Sequence, residues 1–262
     1  MLRSLYTAAT GMEAQQLKMD VISNNLANAN TTGFKRVRAE FEDLLSETIR
    51  GGEAPDPRGG TNPTPLQCGL GVRTASTARN FGQGELLTTN NPLDLAIQGG
   101  GFFRVQRPNG EYGYTRAGSF RADATGRLVT TGGDALDPEI ALPAETMSVT
   151  VRADGVVLAT VAQGGEPQEV GQIQLYTFPN DGGLEAIGGN LLIQTPASGE
   201  PTAAAPGSNG FGSLAQGYLE GANVRAVEEM VEMIATQRAY ELNTNVIKTA
   251  DQMLQRITNL RP

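Results

Sequence analysis

Whatever chemistry this chain performs, it performs without histidine: none occurs among its 262 residues. That absence removes the commonest general base and metal ligand together. Carboxylates, amides and glycines remain. Glu228 with Glu229, and Asp134 with Asp137, are pairs of the kind that glycosidic chemistry sets about a cleft. Nothing in the sequence places them about one, and solvated faces carry such pairs equally well. The run QGGGFF at 98–103 has the glycine content of a phosphate loop. No Gly-Lys-Ser/Thr follows it, and its glycines lead into a strand pattern rather than a helix start. A bulge or tight turn at strand entry is the better reading. Asn30-Thr31-Thr32 has the form of a glycosylation acceptor, but no sign of a eukaryotic secretory route accompanies it. The densest cluster is NNLANANTTGFKR at 24–36. Its amides suit the unpaired backbone groups of a helix end, with Gly33, Asn28 and Asn30 tolerating left-handed backbone. They suit hydrogen bonding to a partner equally.

Bulk properties narrow the classes further. Charged residues are 18% and the net charge is -8, which argues against nucleic acid and anionic lipid as partners. No apolar run is long enough for a transmembrane helix, so no lipid insertion is expected. Arg3, Glu13, Lys18 and Asp20 interrupt the N-terminal apolar positions, unlike a cleavable secretory signal. Cys68 is the single cysteine and has no intrachain disulfide partner.

The elements that must position these residues are marked out by proline and glycine. Of 14 prolines, all but Pro262 lie from Pro55 to Pro206, and Gly11, Gly33, Gly217 and Gly221 are the only glycines in residues 1–35 and 217–262. Both ends are therefore free to be helical. In the first, Leu5, Ala8, Met12, Gln15, Met19, Ile22 and Leu26 alternate three- and four-residue steps, an apolar seam along a helix roughly 39 Å long. In the last, Val224, Val227, Val231, Ile234, Ala239, Leu242, Val246, Ala250, Met253, Ile257 and Leu260 form a stripe on a helix of about 55 Å, with Asn223 as N-cap candidate. Stripes this narrow require the helices to pack on each other or on further copies. The middle alternates apolar and polar residues in DLAIQ, GFFRVQ, GRLVT, SVTVRADGVVLATV and GQIQLYTF, with ADGVV and PNGEY as hairpin turns. The expected fold class is α+β: terminal helices at 1–35 and 217–262, an antiparallel β-domain at 76–216, and an extended, Gly- and Pro-rich arm at 36–75.

Four stretches together resemble one family. NNLANANTTGFKR, NPLDLAIQGGGFFRV (91–105), YTRAGSFRADATGRLVT (114–130) and QGYLEGANVRAVEEMVEMIATQRAYELNTNVIKTADQMLQ (216–255) are similar, in order and from end to end, to the rod and hook family of bacterial flagellar axial proteins. Within that family the chain looks most like the distal-rod type, because residues 46–66 resemble that type's insertion. A proximal rod or hook subunit is the alternative.

The resemblance implies a structural subunit with no catalysis and no cofactor. Its terminal helices would form an axial coiled-coil domain, and copies would stack helically into a rigid hollow shaft that transmits torque for motility. The implied partners are further copies, proximal rod proteins, hook protein, P-ring and L-ring proteins, and the type III export apparatus. The implied location is the basal body, with the rod spanning the periplasm and the chain exported without a cleavable signal. The expected subunit interface comprises Leu5, Met12, Met19, Ile22, Asn24, Asn25, Leu26, Asn28, Val227, Val231, Ile234, Leu242, Val246, Met253, Ile257 and Leu260. Two other classes stay open on residues alone: a carbohydrate-acting enzyme with a convergent acidic pair, and a monomeric binding module with a concave site.

Overall fold

A computed structural model describes residues 2–50, 65–143, 145–161, 166–208 and 210–259. The chain forms two compact units, each assembled from separated segments: Met1–Leu26, Val37–Ala78 and Arg225–Pro262 in one, Ala27–Arg36 and Arg79–Val224 in the other.

The first unit is built on helices α1 (Leu2–Ala27) and α2 (Ala226–Asn259). Neither contains proline, and α1 has the one glycine, Gly11. Glu228 and Glu229 in the first turn of α2 and Arg256 in its last oppose the partial charges of the helix ends. Asn223 is not the N-cap. Its amide is engaged elsewhere, accepting from Arg36 N and donating to the carbonyls of Asn80 and Gly82, and α2 starts three residues later.

The segment expected as an extended arm is, where described, paired backbone. Val37–Asp43 lies beside Val72–Arg79, and Glu47–Arg50 runs antiparallel to Leu66–Cys68. Its Gly- and Pro-rich portion, residues 51–64, lies outside the described residues, and with it most of the 46–66 insertion.

The second unit is antiparallel β, as the alternating runs predict. Its largest sheet has the strand order 185–188, 191–193, 112–115, 103–106, 135–137, 128–130, 120–122. Pairings such as Phe103 with Thr115 and Leu136 with Val105 set the register. Both expected hairpin turns form: Gly110 and Gly155 take φ of 84° and 86°, and Arg107 N and Arg152 N donate across the turns to Glu111 O and Val156 O. The QGGGFF run is a strand entry. Gly99 and Gly101 take φ of 110° and 126°, after which Phe102 and Phe103 separate to opposite faces, as consecutive strand residues must.

Phe103 joins Leu95, Ile97, Val105, Phe120, Leu128, Leu136, Val157 and Ile173 in the main core, edge-on to Phe120 at 5.2 Å between centroids. Phe102 joins Tyr114, Tyr176, Phe178 and Leu192 in a second, aromatic cluster. Phe103→Ala is expected to destabilise the β unit by about 3–5 kcal/mol, through lost transfer energy plus a cavity. Urea unfolding followed by near-UV circular dichroism measures it.

Candidate assembly surface and its buried ionic support

Within the first unit the helices pair through small and polar residues. Gly11 lies so close to Asn243 that an added Cβ would sit 2.9 Å from its Nδ2. Thr244 Oγ1 is 3.5 Å from Met12 Sδ, Lys18 Nζ is 4.0 Å from Glu232 Oε2, and Asn25 Nδ2 donates to Glu229 Oε2 at 3.2 Å. Rising numbers on α1 meet falling numbers on α2, so the pair is antiparallel. The buried seam positions are Ala8, Ala14, Ile22 and Asn25 on α1, and Glu229, Thr236 and Ala250 on α2. Apart from Ile22, these side chains are small or polar and bury little apolar area.

Each expected interface residue can now be located. Ile22 and Asn25 are buried inside the chain. Asn25 pairs with the backbone of Val37, its Nδ2 donating to Val37 O at 2.8 Å and its Oδ1 accepting from Val37 N at 3.0 Å. With Glu229 added, the amide is engaged within its own chain. Leu5, Met12, Met19, Leu26 and Asn28 are half-buried, and Asn24 is exposed. The six described α2 positions face solvent: Val227 is 72% exposed, Val231 62%, Ile234 57%, Leu242 66%, Val246 44% and Met253 55%. Met230, absent from the expected set, joins them at 48%. The side chain of Ile257 and all of Leu260 lie outside the described residues.

The second unit holds an ionic cluster that periodicity does not reveal. Lys35, Arg116 and Glu220 come from three distant segments, and their side chains are 3%, 5% and 0% exposed. Lys35 Nζ donates to Glu220 Oε1 at 2.6 Å and to Gly82 O at 2.8 Å. Gly84 N also donates to Oε1, at 2.9 Å. Arg116 Nη1 lies 3.4 Å from Glu220 Oε2, and its Nη2 donates to Gly99 O at 2.7 Å. Burial pulls the Lys35 ammonium below the ordinary lysine range, against the opposing pull of the Glu220 hydrogen bond. Burial likewise lowers the Arg116 guanidinium, partly offset by Glu220.

Gly33 closes the cluster from the backbone. Its N–H donates to Glu220 O at 2.7 Å, its φ is 71°, and a Cβ would lie 2.6 Å from Ala117 N. Both conformation and space therefore demand glycine. The signal in the sequence was only that Lys35 and Glu220 sit beside glycines at the ends of polar motifs. Among the described residues no three of Asp, Glu or Cys gather as metal ligands.

Three family descriptions match: "Flagella basal body rod protein" over residues 5–35, "Flagellar hook protein FlgE/F/G D1 domain" over 96–159, and "Flagellar basal body rod FlgEFG protein C-terminal" over 215–260. The flagellar basal-body rod protein FlgG of Caulobacter vibrioides is 51% identical over 261 residues, covering 99% of this chain and 100% of its own. That of Bacillus subtilis is 42% identical over 267 residues, covering 100% of both. The flagellar hook protein FlgE of Helicobacter mustelae is 46% identical over 134 residues, 51% of this chain and 30% of its own. The chain belongs to the flagellar rod and hook family, as a structural subunit of the basal-body rod and not an enzyme.

Glu220→Gln leaves two buried cations without their anion. It is expected to cost about 3–5 kcal/mol, read as a lower urea midpoint for the β unit. Replacing all three residues with apolar side chains of similar volume is expected to recover most of that loss.

Proposed function

We propose that this chain is a distal-rod subunit whose copies associate through the outward face of α2, stacking helically into a stiff, hollow, torque-transmitting shaft. The observation that supports this reading most directly is the division of α2 into two faces. Its small and polar residues meet α1, while Val227, Met230, Val231, Ile234, Leu242, Val246 and Met253 are left in water. Burying a side chain of that kind fully is worth about 1.5–3 kcal/mol. A helix does not keep such a stripe exposed without cost, and the small-residue seam inside the chain supplies little apolar burial to compensate. Copies of the same stripe, brought together, complete the missing core.

On this reading the two terminal helices, residues 1–35 and 217–262, are the halves of the axial domain, and residues 76–216 are the β-domain. The insertion at 46–66 stiffens the shaft by contacting adjacent copies. Proximal rod proteins and hook protein adjoin the shaft at its ends, the P-ring and L-ring proteins surround it across the periplasm, and the type III apparatus exports the chain. The end-to-end match to rod proteins, against a hook-protein match of only half the chain, supports a rod subunit over the hook alternative.

Ile234→Asp with Leu242→Asp is expected to raise the critical concentration for polymerisation more than tenfold while leaving the β unit's unfolding midpoint unchanged. Sedimentation and negative-stain imaging read the first, urea unfolding the second. In dilute monomer the terminal segments are expected to be largely unfolded, because ordering a backbone residue costs about 1–2 kcal/mol. Helical circular dichroism and protease-resistant termini at low concentration would contradict that. Deleting residues 46–65 is expected to leave polymers that bend, and unchanged straight filaments in micrographs would count against a stiffening role.

A further inference from the structure

The chain passes between the two units after Leu26, Arg36, Ala78 and Val224. At three of these crossings the β unit's own end residues are bonded to one side chain, that of Asn223. Its Oδ1 accepts from Arg36 N at 2.7 Å, and its Nδ2 donates to Asn80 O at 2.8 Å and to Gly82 O at 3.0 Å. Both protons of the amide and its oxygen are thereby used.

The same segments are also laced to one another. Asn80 N donates to Arg36 O at 2.8 Å, so both backbone groups of Arg36 are bonded inside the unit. Gly82 N donates to Asn80 Oδ1 at 2.8 Å, closing the turn that presents the two carbonyls. Phe81 packs edge-on to Phe102 at 5.5 Å and anchors that turn to the aromatic cluster. Residues 36 and 223 reach it through hydrogen bonds. One layer further in, Gly82 O also accepts from Lys35, and Gly221 N donates to Glu85 O at 2.8 Å. A Cβ on Gly84 would lie 2.0 Å from Gly221 O, so these segments meet backbone to backbone.

A folded body frays first where its chain leaves it, because few contacts hold the end residues. Peeling any one of these segments away must break a bond to Asn223 while the other two still hold that side chain in place. Much of the ordering cost of each bond has therefore been met by its neighbours. On the far side of the Arg36–Val37 peptide, both backbone groups of Val37 are bonded to Asn25 in the first unit. Neighbouring residues thus take their bonds from different units, and the boundary falls within one peptide.

We propose that Asn223 is a latch that closes the β unit at its chain ends, so that the helical unit can unfold, or be pulled on, without unravelling it. Its place in the chain suits that task. Asn223 is the last residue but one before the crossing at Val224, and Asn80 is the second residue after the crossing at Ala78. Unfolding that spreads inward from α2 meets the latch before it meets the Glu220 cluster. The latch rests on bonds inside the β unit alone, and it stands whether or not copies associate through α2.

Limited trypsin digestion of the full-length protein tests the latch, because Arg36–Val37 and Arg79–Asn80 are tryptic bonds at the fastened crossings. Cleavage within a folded unit follows the equilibrium of local opening when opening and closing are fast. Asn223→Ala removes three hydrogen bonds and is expected to speed cleavage at both crossings by about tenfold or more. Cleavage after Arg104 and Arg121, inside strands 103–106 and 120–122, is expected to stay unchanged. Unchanged rates at the two crossings overturn the latch, and so does equal acceleration at all four arginines, which marks a general loss of stability. Asn223→Asp keeps the acceptor for Arg36 N and loses both donors. It is expected to speed cleavage after Arg79 more than after Arg36, and the reverse order overturns the assignment. Hydrogen exchange of the wild type in dilute solution needs no variant. The amides of Arg36 and Asn80 are expected to be protected whether or not those of α2 are, and exchange at the rate of free backbone overturns the latch. The α2 rates report separately on the terminal unfolding expected above.

Discussion

A carboxylate with no exposed surface governs the β unit. Glu220 is held in place by a lysine, an arginine and a backbone N–H, each from a different part of the chain. Taking three charges out of water is costly unless they are paired and hydrogen-bonded, and among the buried side-chain atoms of this cluster only Arg116 Nε lacks a partner. That condition fixes the loop at Gly33–Lys35, the strand end at Arg116 and the exit strand at Glu220 to one another with hydrogen-bond accuracy. It also explains the glycines: Gly82 and Gly99 present carbonyls and Gly84 an N–H to the cluster, while Gly33 lets the backbone approach. An apolar cluster of similar volume could be as stable, but it would tolerate sliding and rotation that directional hydrogen bonds do not.

Where α1 meets α2 in the helical unit the contacts are largely polar, with Gly11 against the Asn243 side chain, Thr244 against Met12, and Asn25 and Glu229 bonded across the pair. Polar pairs near a helix seam fix register at some expense in stability. The large side chains of α2 lie on the other face. A helix pair built this way is specific in its alignment but incomplete in its burial.

The amide cluster at 24–36 divides its labour in a manner that its composition did not disclose. Asn25 is bonded to Val37 and Glu229, Asn28 accepts from Thr31 through both its backbone and its side chain, and Gly33 turns the chain. Asn28 and Asn30, expected to tolerate left-handed backbone, do not take positive φ, but the turn at Gly33 was readable from residue type, since glycine accepts that conformation. The assignment of Asn25 to an interior contact was not, because its partner on α2 lies 204 residues away.

The terminal helices and the strands of the β unit were legible in the sequence, whereas the paired strands within residues 37–79 were not. The confinement of proline to the middle allowed the two helices, alternation dictated the strands, and Asn-Gly and Asp-Gly placed the hairpin turns; these are local preferences, written in neighbouring residues. Four motifs in order were also enough to indicate the family. Tertiary structure alone decided which face of each helix is inward. A 3-4 repeat records that a stripe exists but not which surface covers it, and here small residues took the inner contact and left Val231, Ile234 and Leu242 outside. It alone brought Lys35, Arg116 and Glu220 together. Pairings of that kind depend on the distances that folding sets between segments remote in the chain, and no local pattern encodes them.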